Sequence, residues 1–335
     1  LTILTGGEPL LRRDILEIVQ RAAERELWVV VGTNGVLITE NVAQRLAEAG
    51  ARGLSLSLDA LDPDRHDGFR KVRGAWQNTV EGAEILNRTG LPFIVQTTAG
   101  SHNAGELDAI AEDNIRSSGA VPSFKGYHGF PGSICASVND EVVHGIPGER
   151  VLAEGDVISI DCGAIVEGWH GDAATTVAVG EVPAEVTALS EVTRQAMWRG
   201  IGAARLGGRV TDISHAIESH VRASGDYGIL EDYVGHGIGS AMHQPPNVPN
   251  YGRPGRGPRL VEGLALAVEP MITLGGKDTV VLEDDWTVVT SDGSWAAHHE
   301  HSFTLTPQGA WVLTALDGGE AELTALGVPF GPLAD

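Results

Sequence analysis

The chain has 335 residues, which is enough for two domains that each bury their own hydrophobic core. Its 45 acidic and 23 basic side chains give a formal charge of −22, which argues against general binding to nucleic acid or to an anionic membrane. Two cysteines without paired spacing and the lack of a long apolar run argue against a disulfide-stabilised or membrane-spanning protein and favour the reducing cytoplasm.

Residues 1–98 alternate short apolar runs with helical segments. The β-like runs are 27–31, 54–58 and 92–97, and the helical segments are 13–26, 39–50 and 78–89. This βα alternation predicts a parallel sheet, here an α/β fragment of a partial parallel βα barrel.

Three short motifs in this region carry a family resemblance: TGGEPL at 5–10, TNG at 33–35 and SLD at 57–59. With them, the region resembles the radical S-adenosylmethionine superfamily, nearest its peptide-modifying branch. In that family the Gly-Gly-Glu-Pro strand end contacts the methionyl amino group of the cofactor. The resemblance therefore implies a vestigial cofactor site formed by Gly6, Gly7, Glu8, Pro9, Asn34, Ser57 and Asp59.

The chemistry of that superfamily needs three cysteine thiolates from a CxxxCxxC loop ahead of the first motif. The chain starts at Leu1, directly before that motif, and Cys135 and Cys162 both lie in the later region. We therefore expect no iron–sulfur cluster, and we interpret residues 1–98 as a barrel fragment that is cut at both ends.

Two aspartates of the later region are spaced for a hairpin. Asp161 ends the β-like run 157–160, and Asp172 follows eleven residues later, after the turn signals Gly163, Gly168 and Gly171. Two neighbouring strands would present both carboxylates to one point.

Two glutamates and a histidine complete the candidate cluster. Glu269 ends the apolar run 264–268 before Pro270, Glu300 lies in the strand-like run 298–305, and His236 lies among glycines at 235–239. Four converging carboxylates would repel one another without cations, whereas carboxylates with one imidazole suit paired Mn, Fe, Co or Zn ions. The alternative is five unrelated acidic or capping residues.

From about residue 99 to residue 326 the chain resembles the type I methionine aminopeptidases. The motifs that carry the resemblance occur in family order: GYHGFP at 126–131, VHGIP at 143–147, GHGIG at 235–239, EPM at 269–271, DWTV at 285–288 and EH at 300–301. Met242 stands where relatives often have an aromatic residue, and QPP at 244–246 replaces a more acidic stretch. Both departures concern the shape of the pocket.

The resemblance implies an α+β pita-bread fold of the creatinase/aminopeptidase type over residues 99–335, with two divalent metal ions, Co, Mn, Fe or Zn. It implies metal ligation by Asp161, Asp172, His236, Glu269 and Glu300, with Glu269 also acting as general base. His243 would donate to the oxyanion, and His144 would contact the amide beside the cut bond. A methionine pocket would be formed by Tyr127, Phe130, Cys135, Met242 and Trp286, although core aromatics and a buried thiol are the alternative interpretation.

An internal repeat supports two facing halves. Segments 109–110, 115–119 and 126–133 are echoed by 216–217, 221–225 and 235–240. A helix-like stretch at 191–206, closed by Gly207 and Gly208, precedes the second copy. No such helix precedes the first copy, so we expect the second domain to lack its first helix. Both resembled families can carry a helix of the type GELDAIA, found here at 105–111, so we expect the join to fall between residues 99 and 113.

The expected function is removal of the initiator methionine from peptides and nascent chains, which the resembled family reaches at the ribosome. No nucleic-acid or membrane partner is expected. Two alternatives remain open: another pita-bread metallopeptidase such as a prolidase, and an inactive chimera or fusion.

Overall fold

The structure is a computed structural model that describes residues 2–98, 106–148 and 150–333. The chain divides into two compact units, Leu1–Ile110 and Ala111–Asp335. The expected change of domain between residues 98 and 99 borders a stretch, 99–105, that lies outside the described residues. No described helix is both long enough and apolar enough to span a membrane.

The first unit is a parallel βα arrangement. Its elements are β1 (Thr2–Leu4), α1 (Ile15–Ala23), β2 (Val29–Thr33), α2 (Glu40–Glu48), β3 (Gly53–Ser57), α3 (Pro63–Arg70), α4 (Ala75–Thr89) and β4 (Phe93–Gln96). The strands pair in parallel in the order β1-β2-β3-β4, which confirms the predicted parallel sheet.

The predicted helices of this unit are present with slightly different ends, and α3 is an addition. Thr39 caps α2 because its Oγ1 accepts from Val42 N at 3.2 Å. The sequence interpretation missed α3, although Asp62 followed by Pro63 is a helix-start signal and the Asp62 side chain accepts from Arg65 N. Buried apolar residues of α1, α2 and α4, such as Val19, Leu46 and Leu86, pack in the core with the strands.

Helix α5 (Leu107–Ser117) crosses the boundary between the units. Before its first residue, the Glu106 carboxylate accepts from Leu61 N and Arg65 in the first unit. Further along, Glu112 pairs with Lys125 in the second unit. The boundary between the two units therefore falls within α5. The residue before this helix has partners in the first unit, and Glu112 has a partner in the second.

The second unit is built from antiparallel strands with helices. After α5 its elements are β5 (Val121–Pro122), β6 (Ile134–Val138), β7 (Glu141–Val143), β8 (Val157–Val166), β9 (Trp169–Ala178), α6 (Ala184–Ala203), α7 (Val210–Ser224), β10 (Gly228–Ile229), β11 (Gly235–Gly237), β12 (Gln244–Val248), β13 (Ala265–Val268), β14 (Met271–Thr273), β15 (Thr279–Val281), β16 (Val288–Thr290), β17 (Ala296–His298), β18 (His301–Leu305), β19 (Ala310–Val312) and α8 (Glu320–Ala325). Its main core includes Leu189, Ile213 and Phe303.

The repeated segments form the same local unit only in part. Helix α5 is followed by the short strand β5, and α7 by β10, as the repeat predicts. However, residues 127–129 form a 3-10 turn, whereas the echoing residues 235–237 form β11. Helix α6 begins at Ala184, seven residues before the predicted start, with Pro183 as its N-cap residue. Among the described residues of this unit, α5 precedes β6, whereas α6 and α7 lie between β9 and β10, ahead of β11.

Candidate functional site

Asp161 and Asp172 lie on neighbouring strands of one hairpin. Strands β8 and β9 pair with Asp161 opposite Ala174 and Gly163 opposite Asp172, so both carboxylates lie on one face, two residues apart. The interpretation of Gly163 as a turn residue was wrong, and so was that of Gly171, because both lie inside strands. A Cβ on Gly163 would lie 2.8 Å from the Phe124 ring and 3.2 Å from Asp172 Oδ1, so glycine leaves room for the carboxylate.

Glu269 and Glu300 lie where two strand pairs change sheet. Val268 pairs with His301 in one sheet, and Met271 pairs with His298 in another. The prediction of one continuous strand over 298–305 was wrong, because residues 299 and 300 interrupt it. Both glutamates are therefore held at facing breaks in the strands, and both are buried.

His236 is held between two glycines on β11. A Cβ on Gly235 would lie 2.4 Å from Ala267 O, and one on Gly237 would lie 2.5 Å from Pro245 O, so close strand packing requires both glycines. The His236 Nδ1 atom lies 3.0 Å from Gly237 O and donates to it, which leaves the Nε2 lone pair free. That Nε2 atom faces Glu269 Oε1 at 3.3 Å.

The buried carboxylates lie close together, and several of their oxygens make no hydrogen bond with a described residue. Ligand atoms of Asp172, His236 and Glu300 all lie within 4.8 Å of one another. Among the described residues, Asp161 Oδ1, Asp172 Oδ1 and Glu300 Oε1 are buried and make no hydrogen bond. Buried charged oxygens need hydrogen bonds or cations, so this donor set fits divalent metal ions.

Burial and mutual repulsion change the protonation of the cluster. Burial, followed by the charges of neighbouring carboxylates, raises the pKa of Asp161 and of Glu300 well above the ordinary range. The same two causes raise the pKa of Asp172 to about 7, and burial raises the pKa of Glu269 to about 7. Bound cations would favour the ionised forms instead.

A cavity of about 180 Å³ adjoins the carboxylates. It is lined by the five predicted pocket residues, by both predicted catalytic histidines and by the metal-ligand candidates. Cys135 pairs with Asp161 across β6 and β8, so the apolar wall directly adjoins the acidic cluster. The Phe130 and Trp286 rings meet edge to face with their centroids 5.1 Å apart. Sequence reasoning missed two further residues that line the cavity, Phe124, which belongs to no recognised motif, and Val143, the first residue of the motif VHGIP.

The two predicted catalytic histidines contact this cavity from different loops. His243 lies beside His236, with the ring centroids 4.3 Å apart, and its Nδ1 lies 2.9 Å from the Tyr127 hydroxyl. His144 follows β7 with a φ of 59°, and burial lowers its pKa to about 4. His144 is therefore a neutral imidazole at neutral pH.

A further histidine of the site, His298, was missed by sequence reasoning. Its ligand atom groups with those of Glu269 and Glu300 within 4.8 Å. Nothing in the run AHHEH at 297–301 distinguishes it from the adjacent His299, whose Nε2 lies 3.0 Å from Ser190 Oγ.

In the first unit, the candidate cofactor motifs meet at the strand ends, but their acidic side chains have internal partners. The Glu8 carboxylate accepts from Leu10 N, Thr33 Oγ1 and Asn34 N at 2.7–3.0 Å. Asp59 is fully buried and pairs with Arg70 Nε at 2.5 Å. Gly6, Gly7 and Pro9 flank Glu8, and Ser57 ends β3.

Two family models match the chain. Residues 83–290 match metallopeptidase family M24, and residues 1–113 match the radical SAM superfamily. The two matches overlap over residues 83–113, which include the first part of α5.

Curated relatives and solved structures agree on the family. The chain is 54% identical over 244 residues to a methionine aminopeptidase of Clostridium acetobutylicum, covering 72% of this chain and 94% of that one. It is 56% identical over 214 residues to methionine aminopeptidase 1 of Mycobacterium tuberculosis, covering 62% and 80%. The crystal structure of the Rickettsia prowazekii methionine aminopeptidase matches with a TM-score of 0.62 and 40% identity, covering 63% and 86%.

A more distant neighbour shares the fold alone. The Pyrococcus furiosus prolidase matches with a TM-score of 0.51 at 17% identity, covering 91% of this chain and 80% of that one. The sequence identity to the aminopeptidases, 40–56%, is far higher than the 17% identity to this prolidase. The chain therefore belongs to metallopeptidase family M24, among the methionine aminopeptidases, with a front segment that matches the radical SAM superfamily.

Proposed function

We propose that the chain removes the N-terminal methionine from peptides and nascent proteins, using two divalent metal ions. The ions would be held by Asp161, Asp172, His236, Glu269 and Glu300. The observation that carries the proposal is the set of buried carboxylate oxygens that make no hydrogen bond with a described residue and that lie beside a small apolar cavity. Bound divalent ions would supply Lewis acidity and lower the pKa of water in the site.

Glu269 is the proposed general base. It lies at a strand break. Its Oε1 faces His236 Nε2 at 3.3 Å, and its Oε2 faces His298 Nε2 at 3.6 Å. Its carboxylate would take a proton from the attacking water and pass it to the leaving amine, so that hydrolysis is balanced in protons.

His243 and His144 are the proposed polar contacts to the peptide bond. When the Tyr127 hydroxyl donates to His243 Nδ1, the proton of that imidazole lies on Nε2, which would then donate to the developing oxyanion. His144 would contact the amide beside the cut bond through its neutral ring. In that arrangement the Tyr127 hydroxyl would hold His243 in the tautomer that donates through Nε2.

The cavity supports selection of a single apolar side chain. At about 180 Å³ it is smaller than the pockets of roughly 300–1,000 Å³ that hold drug-sized ligands. Phe130, Cys135, Met242 and Trp286 offer aromatic and sulfur contacts, which suit a flexible thioether. Burial holds the pKa of the Cys135 thiol well above its ordinary value, so this residue acts as an apolar wall.

We also propose which metal ions the site holds and in which compartment the protein acts. A site of carboxylates with one imidazole suits Mn, Fe, Co or Zn. Both cysteines are free thiols, in accord with the cytoplasm, where nascent chains at the ribosome would be the substrates.

A peptide assay tests this function. Protein stripped of metal and reloaded with Mn²⁺ or Co²⁺ should release methionine from Met-Gly-Met-type peptides but should leave Xaa-Pro dipeptides intact. An exposed-residue variant, Glu185→Gln, serves as the control and should match the wild type. Preferential Xaa-Pro cleavage would identify a prolidase instead, and no cleavage of either substrate would favour an inactive fusion.

A further inference from the structure

His298 has a fixed position beside Glu269. It ends β17, and its imidazole is 1% exposed. Its backbone N–H donates to Thr176 Oγ1 at 2.9 Å, and the Thr176 hydroxyl donates back to the His298 carbonyl at 2.8 Å. Both backbone polar groups of His298 are thus held by one residue of β9.

Glu269 lies between two imidazoles. Its Oε1 faces His236 Nε2 at 3.3 Å, and its Oε2 faces His298 Nε2 at 3.6 Å. Because His236 Nδ1 donates to a carbonyl, its Nε2 carries a lone pair and is suited to a metal ion. His298 Nε2 is buried and makes no hydrogen bond with any described residue.

Two arguments favour a hydrogen-bond donor at His298 over a metal ligand. First, the four carboxylates of the proposed ligand set already balance the charge of two divalent ions. Second, carboxylates that bind metals are usually held by a further hydrogen bond, and removal of that donor commonly costs tenfold to hundredfold, roughly, in metal affinity. Among the described residues, His236 Nε2 at 3.3 Å and His298 Nε2 at 3.6 Å are the ring nitrogens that face the Glu269 carboxylate. Because His236 Nε2 carries a lone pair, His298 is the one of the two that can donate. Hydrogen bonds in such sites are often long without ligand and shorten when the site fills.

We infer that His298 is a positioning residue that donates Nε2–H to Oε2 of Glu269 and thereby orients the other oxygen toward His236 and the metal ions. The inference rests on the proposed function, because His298 acts through Glu269. It extends that function by a residue outside the ligand set and outside the methionine pocket.

Replacement of His298 with and without a donor tests the inference. His298→Gln keeps an N–H donor, whereas His298→Leu and His298→Met remove it at similar bulk. Metal-stripped proteins are titrated with Mn²⁺ in a calorimeter, and kcat and KM are measured on a Met-Gly-Met peptide. We expect the Leu and Met variants to bind Mn²⁺ about tenfold to hundredfold more weakly and to lose kcat with little change in KM. The Gln variant should recover most of both losses.

The melting temperature of the metal-free proteins separates this role from a purely structural one. Replacing a buried nitrogen that lacks a partner by an apolar group of similar shape is close to neutral or stabilising. We therefore expect metal-free His298→Leu to melt at or above the wild-type temperature. A large drop in that temperature, equal in the Gln variant, would overturn the positioning role. The exposed His215→Gln is the matched control and should behave as wild type.

Two further results distinguish the positioning role of His298 from metal ligation and from failure of the proposed function. X-ray absorption on the Co²⁺-loaded proteins should count the same number of imidazole ligands in wild type and His298→Gln. One imidazole fewer in the variant would make His298 a metal ligand and overturn the inference. Unchanged Mn²⁺ affinity in the Leu and Met variants would overturn it alone, whereas no Mn²⁺ binding by the wild type would overturn the proposed function as well.

Discussion

Buried carboxylates occur in both units of this chain, but they differ in what surrounds them. In the first unit, the buried Asp59 pairs with Arg70 and accepts from Thr98 N, and the half-buried Glu8 accepts three hydrogen bonds. In the second unit, Asp161, Asp172 and Glu300 each keep a buried oxygen without a hydrogen-bond partner among the described residues. A buried acid with its own partners stabilises the local fold, whereas several unpartnered acids at one point indicate a missing cation.

The largest expected effect comes from removing one unpartnered charge. Asp161→Asn and Glu300→Gln each remove an anionic ligand of a shared site, so we expect both metal content and methionine release to fall, the latter by about a hundredfold or more. Elemental analysis and a peptide assay measure the two effects. Wild-type metal content and rate in either variant would contradict the ligand assignment.

Loss of His243 should affect the rate but not the metals. His243→Ala removes the proposed donor to the oxyanion, and we expect a decrease in kcat of about a hundredfold with metal content retained. Tyr127→Phe should give a smaller decrease, because it removes only the hydrogen bond to Nδ1. Wild-type turnover in His243→Ala would exclude the role.

Loss of the partner of Asp59 should lower the stability of the first region and leave the metal content unchanged. Arg70→Leu leaves Asp59 buried without its cation, and loss of one partner of a buried pair costs about 3 kcal/mol or more. We propose that residues 1–98 and 99–335 fold as separate domains, so calorimetry should show two transitions of which only the first moves. The exposed Arg13→Leu is the control. A fall in metal content caused by Arg70→Leu would remove the contrast between the two regions.

The smallest expected effect is a pH dependence of metal stabilisation. The folded-state pKa values of Asp172 and Glu269 are raised to about 7, so in the metal-free protein these groups favour folding at low pH and lose that contribution as pH rises toward 7. Metal ions compete with those protons. The increase in Tm on adding Mn²⁺ should therefore grow from pH 5.5 to pH 8, and an increase that shrinks over this range would contradict the shifts.

The sequence predicted the residues that line the site more accurately than the strands and turns that carry them. The five ligand candidates, the five pocket candidates and the two histidines singled out from the sequence all line one cavity, since glycines and strand-like flanks constrain where those side chains can lie. The strand break at residues 299 and 300 was missed because the strand-like run 298–305 shows no sign of a change of sheet. Gly163 was misread because a glycine that makes room for a carboxylate looks the same as a turn glycine.

Other features needed three-dimensional contacts. His298 became visible only through its distance to Glu269, because its sequence neighbours include other histidines with different partners. The transition between the units fell inside α5 because Glu106, directly before the helix, and Glu112 within it have partners in different units. Periodicity cannot show such partners.

Anomalous diffraction from crystals of the Mn²⁺-loaded protein, collected at the manganese edge, tests the central claim most directly. We expect two anomalous peaks within bonding distance of the carboxylate oxygens of Asp161, Asp172, Glu269 and Glu300, with one of them also bonded to His236 Nε2. No peak at these oxygens, or peaks only at acidic residues elsewhere, would contradict the account of the unpartnered carboxylates as a metal centre.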